Sequence, residues 1–277
     1  MRSSDSKSSV YIHGSAPEEQ ARLSELNQLM NEAALRELAI PVGISILDVG
    51  SGLGQLTRAM ARATGRGPKV VGLERDPLQL SKARTLADEA GESSLIEFRQ
   101  GDATDLPMAA TEWGAFDLAH ARFILEHVTD PLAVVRQMAQ TIRRGGRVVL
   151  QDDDHDVLRL WPEPGGFVAV WQAYIESYRR VGNDPFVGRR LVELLLQGGL
   201  RPLRNIWIFF GSCAGQQNFM GLAENLILIL RGAMKSIVDR ELVSTEAFED
   251  ALAQLDQWKS RSDAAFWYAI CYVEGIK

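Results

Sequence analysis

Cysteine is scarce. The two in 277 residues, Cys213 and Cys271, make neither a disulfide framework nor a metal-type spacing. They read as reduced thiols of an intracellular chain. Long apolar runs are missing as well. A membrane span needs ~18 unbroken apolar residues, and the best run here is Leu226–Leu230. Residues 1–9, MRSSDSKSS, hold no apolar stretch that could act as a signal sequence, so a cytoplasmic location is expected, with 1–10 as a flexible tail. Positive charge is in deficit: 30 Lys and Arg stand against 36 Asp and Glu, with no basic block. That excludes a phosphate-backbone binder, so neither nucleic acid nor membrane is expected as a partner. Repeats and low-complexity linkers are also lacking.

What is present suits a globular domain: 46% hydrophobic and 24% charged residues, with 24 Gly and 10 Pro. Ser15 and Glu18 have capping-box spacing, and Pro17 fits a first helical turn. Leu23, Leu26, Met30, Ala33 and Leu38 follow at helical spacing, up to Pro41 and Gly43. From residue 44, short apolar strands alternate with helices. The predicted strands are Ile44–Val49, Lys69–Leu73, Leu95–Arg99, Phe116–Ala119 and Arg147–Leu150. Asp76-Pro77 and Asp130-Pro131 open two of the intervening helices, and Gly91 and Gly145-Gly146 close them. This pattern predicts an α/β fold with a doubly wound, mostly parallel sheet.

Beyond residue 150 the character changes, and 16 of the 21 aromatics lie after residue 160. Leu203–Phe210 and Ala265–Val273 read as further strands, Gly166–Val181 and Gln216–Lys259 as helical. The expected organisation is a single domain over 11–277. It comprises an N-terminal helical cover (11–43), a ligand-binding core (44–151) and helical insertions at 152–185 and 212–262 that form a substrate cap.

The most informative stretch is Asp48-Val-Gly50-Ser51-Gly52-Leu-Gly54, where a strand runs through three alternate glycines into a helix. Glycine lets backbone approach a ligand closely, and the helix N-terminus presents free N–H groups. The spacing is G-x-G-x-G, whereas a nicotinamide-dependent oxidoreductase calls for G-x-G-x-x-G. Asp48 would repel a pyrophosphate and suits a ligand with a positive amine or sulfonium. Glu74, 20 residues after Gly54 at the next strand end, can accept both hydroxyls of a ribose. Gly101-Asp102-Ala103, after the third strand, can meet an adenine amino group.

In that order these elements resemble the class I S-adenosylmethionine-dependent methyltransferases, with a Rossmann-like fold. Phe116-Asp-Leu-Ala-His120, Leu125-Glu-His-Val-Thr-Asp-Pro131 and Arg143-Arg-Gly-Gly-Arg147 resemble later motifs of small-molecule members. The resemblance covers 44–151. It implies S-adenosylmethionine as cofactor, bound by Asp48, Gly50, Ser51, Gly52, Gly54, Glu74, Arg75, Gly101, Asp102 and Ala103. His120 and Arg122 would contribute from the fourth strand end, and Tyr11 from the N-terminal cover. A non-catalytic sensor or partner subunit that binds the same cofactor stays open.

Methyl transfer from a sulfonium is an in-line displacement, so the protein chiefly positions and desolvates, with a base where the acceptor must lose a proton. The carboxyl ends of the fourth and fifth strands should face the reaction. His120, Arg122, Glu126 and His127 follow the fourth, and Asp152-Asp-Asp154-His155-Asp156 the fifth. The acidic cluster reads as a solvated loop, as a proton-accepting pair of Asp154 and His155, or as a hard-metal site. His155 and Asp154 are the predicted catalytic pair, and no metal is expected because adjacent carboxylates on one strand exit splay apart. Arg122 either meets the cofactor or pairs with Glu126 at helical spacing. Aromatics such as Trp161, Trp171, Tyr174, Trp207 and Phe219 favour a small, partly apolar acceptor, methylated on oxygen or nitrogen. Homodimerisation is left open.

Overall fold

The structure is a computed structural model that describes residues 17–67 and 69–277, with side chains from residue 28 onward. Ser15, half of the expected capping box, lies outside the described residues, as does Tyr11. The first helix, α1 (Pro17–Leu38), begins at the expected proline.

The chain forms two compact units. The larger comprises 27–158, 182–210 and 268–277; the smaller holds 159–181, 211–267 and the described residues up to 26.

In the larger unit, β1 (Ile46–Val49), β2 (Val70–Glu74), β3 (Glu97–Gln100), β4 (Phe116–Arg122) and β5 (Ile142–Asp152) pair in parallel in the order β3-β2-β1-β4-β5. The order reverses between β1 and β4, the position at which open α/β sheets bind ligands beyond their carboxyl ends. β8 (Ala265–Ile276) runs antiparallel to β5, with Val149 opposite Glu274, and β7 (Arg201–Cys213) pairs with β8.

Strand alternation sorts the core onto two faces. Leu47, Val71, Ala119, Val148 and Val273 pack on one side with α4 (Pro131–Thr141) and α6 (Leu191–Gln197). Ile46, Val70, Leu118, Val149 and Tyr272 pack on the other with the end of α1, α2 (Gln55–Thr64) and α3 (Pro77–Glu89). Asp76 caps α3 by accepting from the Leu78 N–H at 2.8 Å, and Asp130 caps α4 through the Ala133 N–H at 3.0 Å. Both Asp-Pro openings thus work as the sequence implied.

Three features differ from expectation. β5 begins at Ile142, so Gly145-Gly146 lie inside a strand, not beyond a helix end. α6 and β6 (Arg159–Trp161) were unanticipated, being too short to display a period. The helical stretch 216–259 is broken into α7 (Phe219–Val238) and α8 (Thr245–Trp258) at Ser244, whose hydroxyl caps α8.

The smaller unit packs α5 (Phe167–Arg179) with α7 and α8, and pairs β6 with the first residues of β8. Several of its aromatics are core: Trp171 stacks on Phe167 and Tyr174 at 6.0 and 5.0 Å, and Phe219 meets Trp258 at 5.4 Å. Trp161, and Trp207 in the larger unit, are exposed. Among the described residues no helix is long and apolar enough to cross a membrane.

Candidate active site

The glycine loop is built by backbone. The N–H groups of Gly50 and Ser51 both donate to the Leu73 carbonyl at 2.8 Å, which ties the end of β1 to β2. The Gly54 N–H closes the turn on the Ser51 carbonyl, also at 2.8 Å. All three glycines have positive φ, at 75°, 55° and 73°. They are not equivalent, however. A Cβ on Gly50 would fall 2.0 Å from Ile124 Cδ1, the end of a half-buried side chain, and one on Gly54 2.5 Å from the ring of Phe98, so internal packing already opposes a side chain at Gly54. At Gly52 the nearest atom is Gln79 Oε1 at 3.4 Å, and this is the glycine whose face a ligand can approach. Gly101, whose Cβ would meet Pro107 at 2.6 Å, again serves packing.

Glu74 ends β2 with both carboxylate oxygens engaged. Oε2 accepts from the Gly52 N–H at 2.9 Å and Oε1 from the Asp76 N–H at 2.8 Å. One acid therefore ties the glycine loop to the start of α3. Arg75 beside it is exposed, and its carbonyl accepts from Gln100 Nε2 at 3.2 Å. Asp102 Oδ1 accepts from the Thr104 hydroxyl at 2.6 Å and N–H at 2.8 Å. The hydroxyl is the main reason its carboxyl titrates below the usual range. Ala103 is half-buried against the core.

Asp48 and His120 lie directly opposite each other on β1 and β4, on the face covered by α2. His120 Nδ1 is 2.8 Å from Asp48 Oδ1, and the Thr57 hydroxyl of α2 donates to Asp48 Oδ2 at 2.5 Å. Gln151 on β5 completes the chain, its Nε2 3.2 Å from His120 Nε2. Arg122 does not pair with Glu126: its Nη2 donates to Asn31 Oδ1 at 2.6 Å, and its guanidinium lies over the Phe123 ring.

At the ends of β4 and β5 a second group gathers. Asp152 Oδ2 accepts from the N–H groups of Ile124 and Leu125 at 3.1 and 2.8 Å, which fixes the turn after β4. That turn presents Glu126, whose Oε2 lies 3.0 Å from His155 Nε2, with both side chains buried. Tyr268 on β8 donates its hydroxyl to Asp153 Oδ1. Asp154 is held by Arg189, whose Nε and Nη2 reach Oδ2 and Oδ1, each at 2.6 Å. Asp154 also accepts from the Asp156 N–H, and so shapes the turn that carries His155.

Burial, and then the charge of Glu126, push the Asp153 carboxyl up to about 7 and the Asp152 carboxyl well above its ordinary value. Burial opposes charge on His155, but the hydrogen bond and field of Glu126 outweigh it and raise the imidazole's proton affinity. The Tyr268 phenol is held protonated by burial and by Asp153. Two hydrogen-bonded pairs, His155–Glu126 and Tyr268–Asp153, thus stand side by side, with Asp153 only partly buried.

Asp152 turns to the β4 turn and Asp154 to Arg189. Convergence comes from another element: Glu126, Asp153 and His155 place one donor atom each within 4.8 Å of one another. Tyr268, Arg189, Thr57 and Gln151 were missed from the sequence. Tyr268 and Gln151 sit in ordinary strand alternation, and neither Arg189 nor Thr57 belongs to a motif.

Residues 40–175 match the model of a methyltransferase domain family. The chain is 31% identical over 171 residues to a demethylmenaquinone methyltransferase of Lactococcus lactis, a match covering 61% of each. It is 30% identical over 193 residues to a 27-O-demethylrifamycin SV methyltransferase of Amycolatopsis mediterranei, covering 69% of this chain and 66% of that protein. These matches therefore span less than two thirds of the relatives' length in the first case and about two thirds in the second. A geranyl diphosphate methyltransferase solved with S-adenosylmethionine superposes with a TM-score of 0.56 at 16% identity, over 95% of this chain and 91% of that one, which shows a shared fold.

The fold, the glycine loop and these matches define a methyltransferase domain. Residues 40–175 are a methyltransferase domain, and its fold and glycine loop are those of the class I S-adenosylmethionine-dependent type. The residues fit that cofactor. Ser51 Oγ, inside the glycine loop, is buried with no hydrogen-bond partner among the described residues. A Cβ on Gly52 would meet nothing nearer than 3.4 Å, and Glu74 and Asp102 bring carboxylates to the carboxyl ends of β2 and β3 beside the loop.

Proposed function

We propose that the protein methylates a small, partly apolar organic acceptor at a hydroxyl or N–H that must lose its proton. His155 is the group that receives that proton. When bound, S-adenosylmethionine supplies an electrophilic methyl group on a positively charged sulfur.

The chain's own work is binding, orientation and proton management. Glu74 and the Gly52 backbone hold the loop. Glu126 fixes the His155 ring through a 3.0 Å contact and favours its protonated form once a proton arrives. Asp153 is half-buried, and the Tyr268 hydroxyl keeps it oriented. Asp154, expected as a catalytic partner, takes a positioning role in this proposal through Arg189 and the 155 turn.

The observation that carries the proposal is the buried His155–Glu126 pair beside the half-buried Asp153, at the strand ends where ligands of this fold class bind. A free amine acceptor would need no such set. The name of the 27-O-demethylrifamycin relative supports oxygen as the acceptor atom.

The test is turnover of phenolic and N-heterocyclic acceptors with radiolabelled S-adenosylmethionine. His155→Ala should lower turnover at least ~10²-fold with cofactor affinity nearly intact, a typical share for acid–base catalysis. Because the base form exists only above its pKa, the wild-type rate should rise with pH through neutrality. Unchanged turnover and pH profile in the variant would return His155 to a structural role. Chelator-sensitive activity restored by magnesium would replace proton transfer by metal chemistry at Glu126, Asp153 and His155.

A further inference from the structure

Gln151 is wholly buried at the end of β5. Its amide spans from β5 to the His120 ring on β4, and His120 spans to Asp48 on β1. Strand parity places all three on the same face of the sheet: Ile46, Leu118 and Val149, each two residues before one of them, belong to one core cluster. All three also lie at the carboxyl ends of parallel strands, and Asp48 is two residues before Gly50.

The hydrogen bonds fix directions. Asp48 has only acceptor atoms toward its neighbours, so His120 Nδ1 carries the proton that bonds Oδ1. With the ring neutral, His120 Nε2 is a lone pair and accepts from the Gln151 amide N–H. This arrangement leaves Gln151 Oε1 buried with no partner among the described residues. A methionine or leucine would fill the same space without leaving a buried carbonyl oxygen unsatisfied, a loss a purely structural residue would avoid. What Gln151 alone supplies is the N–H aimed at His120.

We propose that Gln151 is a positioning residue of the cofactor site: it fixes the His120 tautomer, which in turn orients the Asp48 carboxylate beneath the glycine loop for the positively charged methionyl end of the cofactor. The Thr57 hydroxyl holds the other oxygen of Asp48, so the carboxylate is pinned from both sides. The carboxylate thus lies under the loop, where it favours a cationic ligand portion. The proposal rests on the expectation that Asp48 faces that end of the cofactor, and its test separates the two.

Two ligands report on this: S-adenosylhomocysteine, which carries the amino-acid end, and 5′-methylthioadenosine, which lacks it. Calorimetry on the full chain compares wild type, Asp48→Asn and Gln151→Met. In Gln151→Met, affinity for S-adenosylhomocysteine should fall about 10-fold, the loss of roughly one hydrogen bond's worth of orientation. Affinity for methylthioadenosine should stay within twofold of wild type. Asp48→Asn should show the same selective loss. Equal weakening of both ligands by Gln151→Met would make Gln151 structural and overturn the proposal. If Asp48→Asn leaves the ratio of the two affinities unchanged, the expectation about Asp48 fails, and the relay with it. ¹⁵N NMR of the wild-type imidazoles decides the matter where Gln151→Met does not fold: His120 should be the Nδ1–H tautomer, and an Nε2–H signal would refute the relay directly.

Discussion

Replacing Glu74 separates the two tasks its carboxylate performs. In the free protein Oε2 accepts from the Gly52 N–H at 2.9 Å and Oε1 from the Asp76 N–H at 2.8 Å. Hydrogen bonds to a charged acceptor are each worth about 1.5–3 kcal/mol. Glu74 is only partly buried, so in Glu74→Ala water takes over much of both bonds, and we expect a net destabilisation of about 1–2 kcal/mol. For a chain of this size that lowers Tm by about 2–6 °C. Cofactor affinity should suffer more, because the ribose loses its acceptor and the Gly52 backbone loses its anchor together. A loss of about 2–4 kcal/mol predicts a 30- to 1000-fold weaker Kd. Glu74→Gln should be no milder for the loop: an amide offers one oxygen where two N–H donors converge, and its NH₂ would confront the other donor. Calorimetry with S-adenosylhomocysteine, run beside thermal unfolding, measures both effects. Wild-type affinity in Glu74→Gln would refute the argument that both oxygens are needed, and unchanged affinity in Glu74→Ala would remove Glu74 from the cofactor site.

Four further substitutions have expected outcomes. Gly54→Ala should destabilise by about 2–4 kcal/mol, because the left-handed backbone and the Phe98 contact both oppose a Cβ. Gly52→Ala carries the same left-handed backbone cost but no clash, so it should lose less Tm than Gly54→Ala while weakening cofactor binding; equal Tm losses would overturn the distinction between the two glycines. Glu112 is paired with Arg99 at 2.8 and 3.0 Å and with Lys69, which depresses its carboxyl to about 2. A depressed pKa stabilises above the unfolded value and ceases to do so as pH falls through the folded one. Glu112→Gln should therefore lower stability by about 1–3 kcal/mol at pH 7, with the gap narrowing as pH falls from 4.5 toward 2 in denaturant titrations. Asp153 has the opposite sign: its carboxyl is raised from 3.8 to about 7, so its favourable contribution is complete at low pH and is lost as pH rises through 7. Asp153→Asn should gain stability relative to wild type above pH 7, and a gain confined to acid pH would contradict the assignment.

The parallel half of the fold was legible because its punctuation is local. Asp-Pro caps, glycine stops and apolar strands of four to seven residues all act within a few positions of themselves. The glycine loop was legible for the same reason. What stayed hidden depends on partners distant in sequence. The loop-anchoring role of Glu74 runs through a backbone N–H 22 residues away, which leaves no side-chain signature. His155 and Asp154 were recognisable as candidates, yet their partners, Glu126 and Arg189, lie 29 and 35 residues away on other elements. The extension of β5 back to Ile142 shows the reverse effect. Gly145-Gly146 is a strong stop signal, and pairing with β4, with Phe116 opposite Ile142 across a register shift, overrides it.

The most direct test of the cofactor site is a calorimetric titration of the purified chain with S-adenosylmethionine and, in parallel, with NAD. The arrangement of Asp48, Gly52, Glu74 and Asp102 predicts saturable, one-site heat from S-adenosylmethionine and none from NAD. Saturable binding of NAD, with no heat from S-adenosylmethionine, would contradict it.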